Sequence, residues 1–413
     1  MDGKTEGLSL RILHIIATLD RSAGGPANSI RRIVSTYPEI GSVGEVLTLD
    51  APEAPFLKEV PFTVHALGPV GGVFSYSRRL IPWLRKNRDR FDGVVVHGLW
   101  QYTGYAVWRA VGGRKPYMVF THGMLDPYFN RSSRLKQLKK IPYWLLAQYW
   151  VLRGANHVLF TSEAEARLAT QSFWPWRWNP IVVPYGATAG DGDPGELRRA
   201  FLEAHPALCA SDGSAKPFVL FLSRIHTKKG CDLLVEAFVR LAERAPGLQL
   251  VFAGPDQDDL ASGLMQRAAE GGVAERVHLI GMVDGDQKWG AFHACEVFAL
   301  PSHQENFGIA VAEALACGKA VLISDKVNIW EDILADGAAF VGSDDVAGTQ
   351  KTLAEWIALP AGERAAMGER ALACFRKRYD MRANAHGIVA IFARIAAGEP
   401  GSATPAPTRA KAL

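Results

Sequence analysis

The sequence predicts an α/β protein of two doubly wound domains, each a parallel sheet with helices on both faces, and three observations carry that prediction. Its 413 residues exceed what one hydrophobic core usually serves, so two domains of roughly 200 residues are expected. Short β-branched runs alternate with longer helical patterns from end to end, the mark of repeated βαβ units. The segment PYGATAGDGDPGE, residues 184–196, interrupts that alternation with Gly, Asp and Pro, reads as a linker, and puts the boundary near residue 190.

In the first domain, residues 1–189, strands are expected at 10–16 (LRILHII), 44–49 (GEVLTL), 93–98 (GVVVHG), 117–122 (YMVFTH) and 156–162 (NHVLFTS). In the second, residues 190–380, they are expected at 218–224 (FVLFLSR), 248–254 (LQLVFAG), 276–281 (RVHLIG), 296–302 (EVFALPS) and 319–324 (KAVLIS). Residues 381–397 predict an amphipathic helix that crosses back to the first domain. From 398 to 413 the apolar content is too low to repay ordering, and a disordered tail is expected.

Composition narrows the function classes. With 46 basic against 42 acidic residues the net charge is only +4, so nucleic acid as a main partner has no support. The five cysteines, Cys209, Cys231, Cys295, Cys317 and Cys374, are odd in number and unpaired in spacing. They predict reduced thiols in a cytosolic compartment rather than a disulfide framework or a zinc site. The apolar run in LRILHIIATLD is too short and broken for a signal peptide, and no window approaches the ~18 apolar residues of a spanning helix. A soluble or membrane-surface protein is expected.

In open parallel sheets ligands bind outside the carboxyl ends of the strands, and the unusual polar clusters lie there. ENFGIAVAE follows the strand EVFALPS, so Glu305, Asn306, Phe307 and Gly308 form the turn into a helix whose N-terminus favours an anion. Glu313 lies more than a turn further in, ~10 Å along at ~1.5 Å per residue. That spacing suits one acid accepting from a sugar's hydroxyls and the other from a ribose diol. A plainer reading also stands, with Glu305 a helix-start acid and Glu313 a solvated helix residue. One motif earlier, SRIHTKKG places Arg224, His226, Lys228 and Lys229 at a strand end and helix start. Cations there oppose the helix dipole, a misfit that an anion between side chains and amides would relieve. The alternative is a solvated basic loop.

SRIHTKKG, FAGP (252–255), IGMV (280–283) and ALPSHQENFGIAVAEALACGKAVL together resemble, in order and spacing, the nucleotide-sugar half of retaining glycosyltransferases of family 4, with GT-B architecture. The likeness is specific over about residues 216–335 and looser over 8–185. It implies two Rossmann-like domains facing across a cleft, and no cofactor or metal. Arg224 and Lys229 would hold the donor diphosphate as catalytic groups. Glu305 would bind the transferred sugar, helped by backbone amides near Asn306, Phe307 and Gly308, and Glu313 would hold the ribose. Met282 would flank the base, and Gly254 either permits close approach or merely ends its strand.

In the first half, Gly24 and Gly25 between strand and helix either turn the chain or present amides to the donor. His122, in FTHGMLDPYF, is either a structural strand-end histidine or, as in similar enzymes, the group that reaches the transferred sugar. His97 and Asp126 fall on the acceptor side. Residues 131–153, with Arg131, Arg134, Lys136, Lys139 and Lys140 before an aromatic run, either rest on an anionic membrane or form a buried helix with a solvated basic part, divided at Pro142. The tryptophans of FWPWRWN, residues 173–179, are a lipid or sugar contact or a core edge. The family likeness points to bacterial enzymes of surface-polysaccharide or lipopolysaccharide synthesis, with GDP-mannose slightly preferred over a UDP-hexose. The partners implied are a nucleotide diphosphate sugar and a glycan or glycolipid acceptor. The protein would be cytoplasmic, peripheral on the inner face of the plasma membrane. A nucleotide-sugar epimerase of the same shape and a non-catalytic nucleotide-sugar-binding protein remain the alternatives.

Overall fold

The computed structural model describes residues 9–128 and 134–398. The chain divides into two compact units, Met1–Gly186 with Met381–Leu413, and Ala187–Asp380. The first unit holds a seven-stranded sheet: β1 (Arg11–Ile15), β2 (Val43–Thr48), β3 (Val64–Ala66), β4 (Gly93–His97), β5 (Tyr117–Phe120), β6 (His157–Phe160) and β7 (Pro180–Val182). Their order is β3-β2-β1-β4-β5-β6-β7, with every pairing parallel. The second unit holds β8 (Phe218–Leu222), β9 (Gln249–Ala253), β10 (Val277–Gly281), β11 (Val297–Leu300), β12 (Val321–Ser324) and β13 (Ala339–Gly342). These run β10-β9-β8-β11-β12-β13, again all parallel.

Central strands read as unbroken apolar runs because helices cover both faces of the sheet. Val94, Val95 and Val96 are buried, as are Phe218, Val219, Leu220 and Phe221. Three strands were not expected from the sequence, β3, β7 and β13, and all three are sheet edges. They are only three or four residues long, and β7 opens on Pro180, so neither length nor alternation marks them.

Each sheet reverses its direction of growth once, between β1 and β4 and between β8 and β11. Loops leaving such a strand pair diverge and open a crevice. The basic loop leaves β8 and the acidic one leaves β11. In the first unit the glycine loop leaves β1, and His97 ends β4.

The final helix, Met381–Ala396, belongs to the first unit. Phe392 fills the space where a side chain at Gly93 would stand, and Arg382 pairs with Glu39 at 3.3 Å. Most of the expected tail, from residue 399 on, and Arg131 lie outside the described residues. Pro142 does not divide the basic and aromatic segment. The helix Arg134–Tyr143 contains it and runs on through a π-helical turn, Trp144–Gln148, into the helix Tyr149–Gly154. A wider turn of this kind keeps a helix continuous across irregular backbone hydrogen bonding. Among the described residues no helix is long and apolar enough to cross a membrane.

Candidate functional site

The second unit gathers the charged residues that the sequence singled out. Gly308, at φ +76°, caps the helix Ile309–Ala316 in the left-handed conformation, which favours glycine. The preceding loop is fixed by its backbone: Glu305 N–H donates to Lys326 O at 2.9 Å, and Asn328 N–H donates to Glu305 O at 3.0 Å. On the β8 side, Thr227–Lys229 makes one 3₁₀ turn before the helix Cys231–Leu241. The two loops are tied directly, because His303 N–H donates to Lys228 O at 2.9 Å. This union brings the Lys229 ammonium onto Glu305 Oε2 as an ion pair in which both side chains are largely buried.

Arg224 is exposed and donates from Nη1 to Gln257 Oε1 at 2.7 Å. Gln257 is neutral, so that contact leaves the guanidinium charge uncancelled. Glu313, expected either to hold a ribose or to be solvated, is only 3 % exposed. It accepts from Lys288 Nζ at 2.9 Å, and that ammonium also lies 4.1 Å over the Trp289 ring. The solvated reading of Glu313 is thereby corrected: the helix turns it inward to meet a cation from the helix Gly285–Ala294.

Phe307 is buried, edge-on to Tyr379 at 5.5 Å, so its side chain serves the core. Asn306 is part-buried beside it. Met282 is 71 % exposed at the end of β10. Gly254, at φ +146°, has no room for a side chain, because a Cβ there would lie 1.9 Å from Ser223 O. Packing between the ends of β8 and β9 therefore accounts for this glycine without a ligand.

In the first unit Gly24 is the N-cap of the helix Gly25–Thr36, with Pro26 in its first turn. His122 follows β5 at φ +53°, a conformation that a non-glycine residue holds only when its surroundings enforce it. The enforcing group is Glu165, buried at 2 % exposure. Its Oε1 accepts from Gly123 N–H at 2.7 Å and Thr121 Oγ1 at 2.6 Å, and its Oε2 accepts from Thr161 N–H and Oγ1. The turn holding His122 is thus pinned from both flanking residues. Both His122 ring nitrogens meet side chains, Nε2 with His97 Nδ1 at 2.9 Å and Nδ1 with the Tyr185 hydroxyl.

His97, expected on the acceptor side, is 3 % exposed, and its ring lies between those of His14 and His122. The register that pairs it with Phe120 turns it into the unit, so it does not offer a nitrogen to an acceptor. Asp126 is buried and caps its own turn, accepting from Tyr128 N–H at 2.8 Å. Lys288, Glu165, His14 and Tyr185 were not anticipated from the sequence. The pairings Lys288–Glu313, Glu165–Thr121, His14–His97 and Tyr185–His122 span 25 to 83 residues, and no local pattern marks them.

Comparison with known proteins decides the family. Residues 212–373 match the model of the group 1 glycosyl transferases, and residues 24–186 match that of the glycosyl transferase 4-like domain. The chain belongs to this glycosyltransferase family. Its curated relatives include the D-inositol 3-phosphate glycosyltransferase of Nocardia farcinica, 31 % identical over 193 residues, 46 % of this chain and 41 % of that protein. Another is the lipopolysaccharide core biosynthesis mannosyltransferase LpsB of Rhizobium meliloti, 27 % identical over 275 residues, 62 % of this chain and 77 % of that protein. The chain spans about half the length of the first relatives it matches. Among solved structures, sucrose-phosphate synthase of Thermosynechococcus elongatus aligns with a TM-score of 0.70 at 18 % identity, over 94 % of this chain and 100 % of that one. Anabaena HepE in complex with UDP-glucose aligns at 0.68 and 18 %, over 94 % and 100 %. The family member described here therefore has the fold of GT-B glycosyltransferases, two parallel-sheet α/β domains.

Proposed function

We propose that this glycosyltransferase moves a hexose, with mannose preferred, from a nucleoside diphosphate sugar to a lipid-linked, lipopolysaccharide or exopolysaccharide glycan, with retained configuration. One observation carries the reading: Lys229 and Glu305, 76 residues apart in sequence, meet as an ion pair where two loops leave a strand pair of reversed order, with Arg224 exposed nearby in sequence at the end of β8. The bond that breaks joins the donor's anomeric carbon to a phosphate oxygen. Arg224 and Lys229 would take up the charge on the departing diphosphate together with the amides that open the helix Ile309–Ala316. Glu305 would accept from hydroxyls of the transferred sugar, and Glu313 from the ribose. The acceptor oxygen bonds to the anomeric carbon on the face the phosphate leaves, and its proton passes to a diphosphate oxygen. In this reading no metal is required, and an assay with chelator tests that part.

The relatives support the substrate class in their names, a mannosyltransferase among them, and a structural neighbour carries UDP-glucose. A lipid-borne acceptor has its own support in the first unit. Leu138, Ile141, Leu145, Leu146 and Trp150 stand 40–77 % exposed along one helical segment, beside the exposed Lys139. Trp174 is 85 % exposed. An apolar face with basic neighbours suits the surface of an anionic leaflet, and the reading places the enzyme there, on the cytoplasmic side. All five cysteines are free, in keeping with that side.

The purified protein, incubated with a panel of nucleotide sugars with and without membrane lipid extract, should release nucleotide from one donor, faster with extract. Turnover giving an isomerised nucleotide sugar would favour the epimerase reading. Binding without turnover would favour a sensor. Absence of binding to every donor would end all three.

A further inference from the structure

Three imidazoles and two phenols form one continuous hydrogen-bonded chain inside the first unit. The Tyr37 hydroxyl lies 2.8 Å from His14 Nε2, and His14 Nδ1 lies 2.8 Å from His97 Nε2. His97 Nδ1 lies 2.9 Å from His122 Nε2, and His122 Nδ1 meets the Tyr185 hydroxyl. The sheet builds this chain. His14 sits on β1 and His97 on the neighbouring β4. Phe120 of β5 is opposite His97, and His122 follows two residues later. The rings of His14 and His97 stack at 5.1 Å, those of His97 and His122 at 5.1 Å, and Phe120 lies flat on His122 at 4.6 Å and 3°. Tyr37 and His14 are wholly buried and His97 is nearly so.

A neutral imidazole carries one ring proton, on either nitrogen. Burial pushes His14 and His122 down to about 3 and His97 well below the ordinary range, so all three are neutral near pH 7. Each nitrogen-to-nitrogen contact needs one proton between the rings. With one proton per ring, only two arrangements satisfy every contact. Either every ring is protonated at Nδ1, with Tyr37 donating into the chain and the Tyr185 oxygen accepting, or every ring is protonated at Nε2, with Tyr185 donating and Tyr37 accepting. Any mixture makes two lone pairs or two N–H groups face each other in a buried contact, which forfeits a hydrogen bond and its desolvation.

We propose that Tyr37, His14, His97, His122 and Tyr185 act as one tautomer-coupled chain, in which the other four are positioning residues that set which nitrogen of His122 carries the proton. The inference rests on the reading of His122 as the histidine that meets the transferred sugar. A ligand group takes the His122 Nδ1 position by replacing the Tyr185 hydroxyl at the chain's end, whereas taking Nε2 breaks the chain in its middle. At Nδ1 it finds a donor or an acceptor according to the state of all three rings.

The test is nitrogen-15 NMR of the histidine side chains in the full-length protein, which distinguishes Nδ1–H from Nε2–H tautomers. In the wild type His14, His97 and His122 should share one tautomer. A bare buried acceptor is better tolerated than a bare buried N–H, so Tyr37→Phe should leave all three rings Nδ1-protonated and Tyr185→Phe should leave all three Nε2-protonated. Different tautomers among the three wild-type rings would overturn the coupling without any variant, and so would a variant that altered only the ring beside it. In the kinetic arm, one of the two variants should lower the transfer rate about tenfold, a fraction of what proton placement contributes in catalysis, with donor affinity within about twofold of wild type. Concerted tautomers with unchanged rates in both variants would overturn the positioning role. Failure of the wild type to bind any donor would instead strike the functional reading, and the tautomers would still decide the coupling.

Discussion

Where their sheets reverse order, the two units manage buried polarity in opposite ways. In the second unit, full charges are set against one another, Lys229 with Glu305 and Lys288 with Glu313, and the exposed Arg224 adds a further cation. In the first, the equivalent position at the sheet's reversal point holds neutral imidazoles and phenols. Charge is suited to gripping an anion, where each cation counts singly. A neutral chain has little electrostatic grip, but its members depend on one another for their protonation. The difference separates binding from orientation, and it can be broken or sharpened experimentally.

The largest effect should come from the more buried ion pair. Lys288→Met removes the paired cation from a Glu313 carboxylate whose side chain is 4 % exposed, and should cost about 3–5 kcal/mol in urea unfolding. The double variant with Glu313→Gln should recover most of that. Equal stabilities of wild type and Lys288→Met would show that the pair is not the constraint the geometry suggests.

Lys229→Ala or Glu305→Ala should each lower the transfer rate by about 100- to 1000-fold, the range for losing one preorganised charge-stabilising group, with the fold retained by circular dichroism. Full activity in either variant would refute their roles. The pH dependence of stability tests the buried histidines of the first unit. Burial holds His14, His97 and His122 below the ordinary histidine value of about 6.5 in the folded protein, so the unfolded chain binds more protons below that pH. Their contribution is intact above about 6.5 and is lost as pH falls, towards about 3 for His14 and His122, at up to about 1.4 kcal/mol per pH unit for each ring. His157, His205, His278 and His293 are shifted the same way. Unfolding midpoints that stay constant from pH 7 to pH 5 would contradict the buried neutral chain.

The smallest effect concerns the apolar face. Neutralising Lys139 and Lys140 should weaken sedimentation with anionic vesicles by about 1 kcal/mol per charge, and Leu146→Glu should weaken it further. Unchanged sedimentation would remove the membrane from the account.

What could be read in the sequence follows from the same contrast. Nine central strands and the edge β10 were visible because each is a compact apolar run between turn residues. The edges β3, β7 and β13 are short and only part-buried, and carry no such signal. Arg224 and Lys229 stood out because cations at a strand end and helix start violate the local preference, Glu305 because a second acid, Glu313, follows it in the same apolar segment, and the motif order resembled a family. Glu313 was legible as a site residue but not as the partner of Lys288, since a pairing between two helices leaves no trace in spacing. His97 and His122 were noticed one at a time, each at a strand end. Their union with His14, Tyr37 and Tyr185 depends on strand order and register, which the sequence does not spell out. Glu165 was hidden for the same reason, being an acid in the first turn of Glu163–Ala169, where a helix-start carboxylate needs no further explanation.

The most direct measurement of the central claim is a crystal structure of the protein soaked with the nucleoside diphosphate of whichever donor it turns over. The account predicts the diphosphate within hydrogen-bonding reach of Arg224 and Lys229 and of the amides that open the helix Ile309–Ala316, with the ribose at Glu313. A diphosphate bound away from these groups would contradict it.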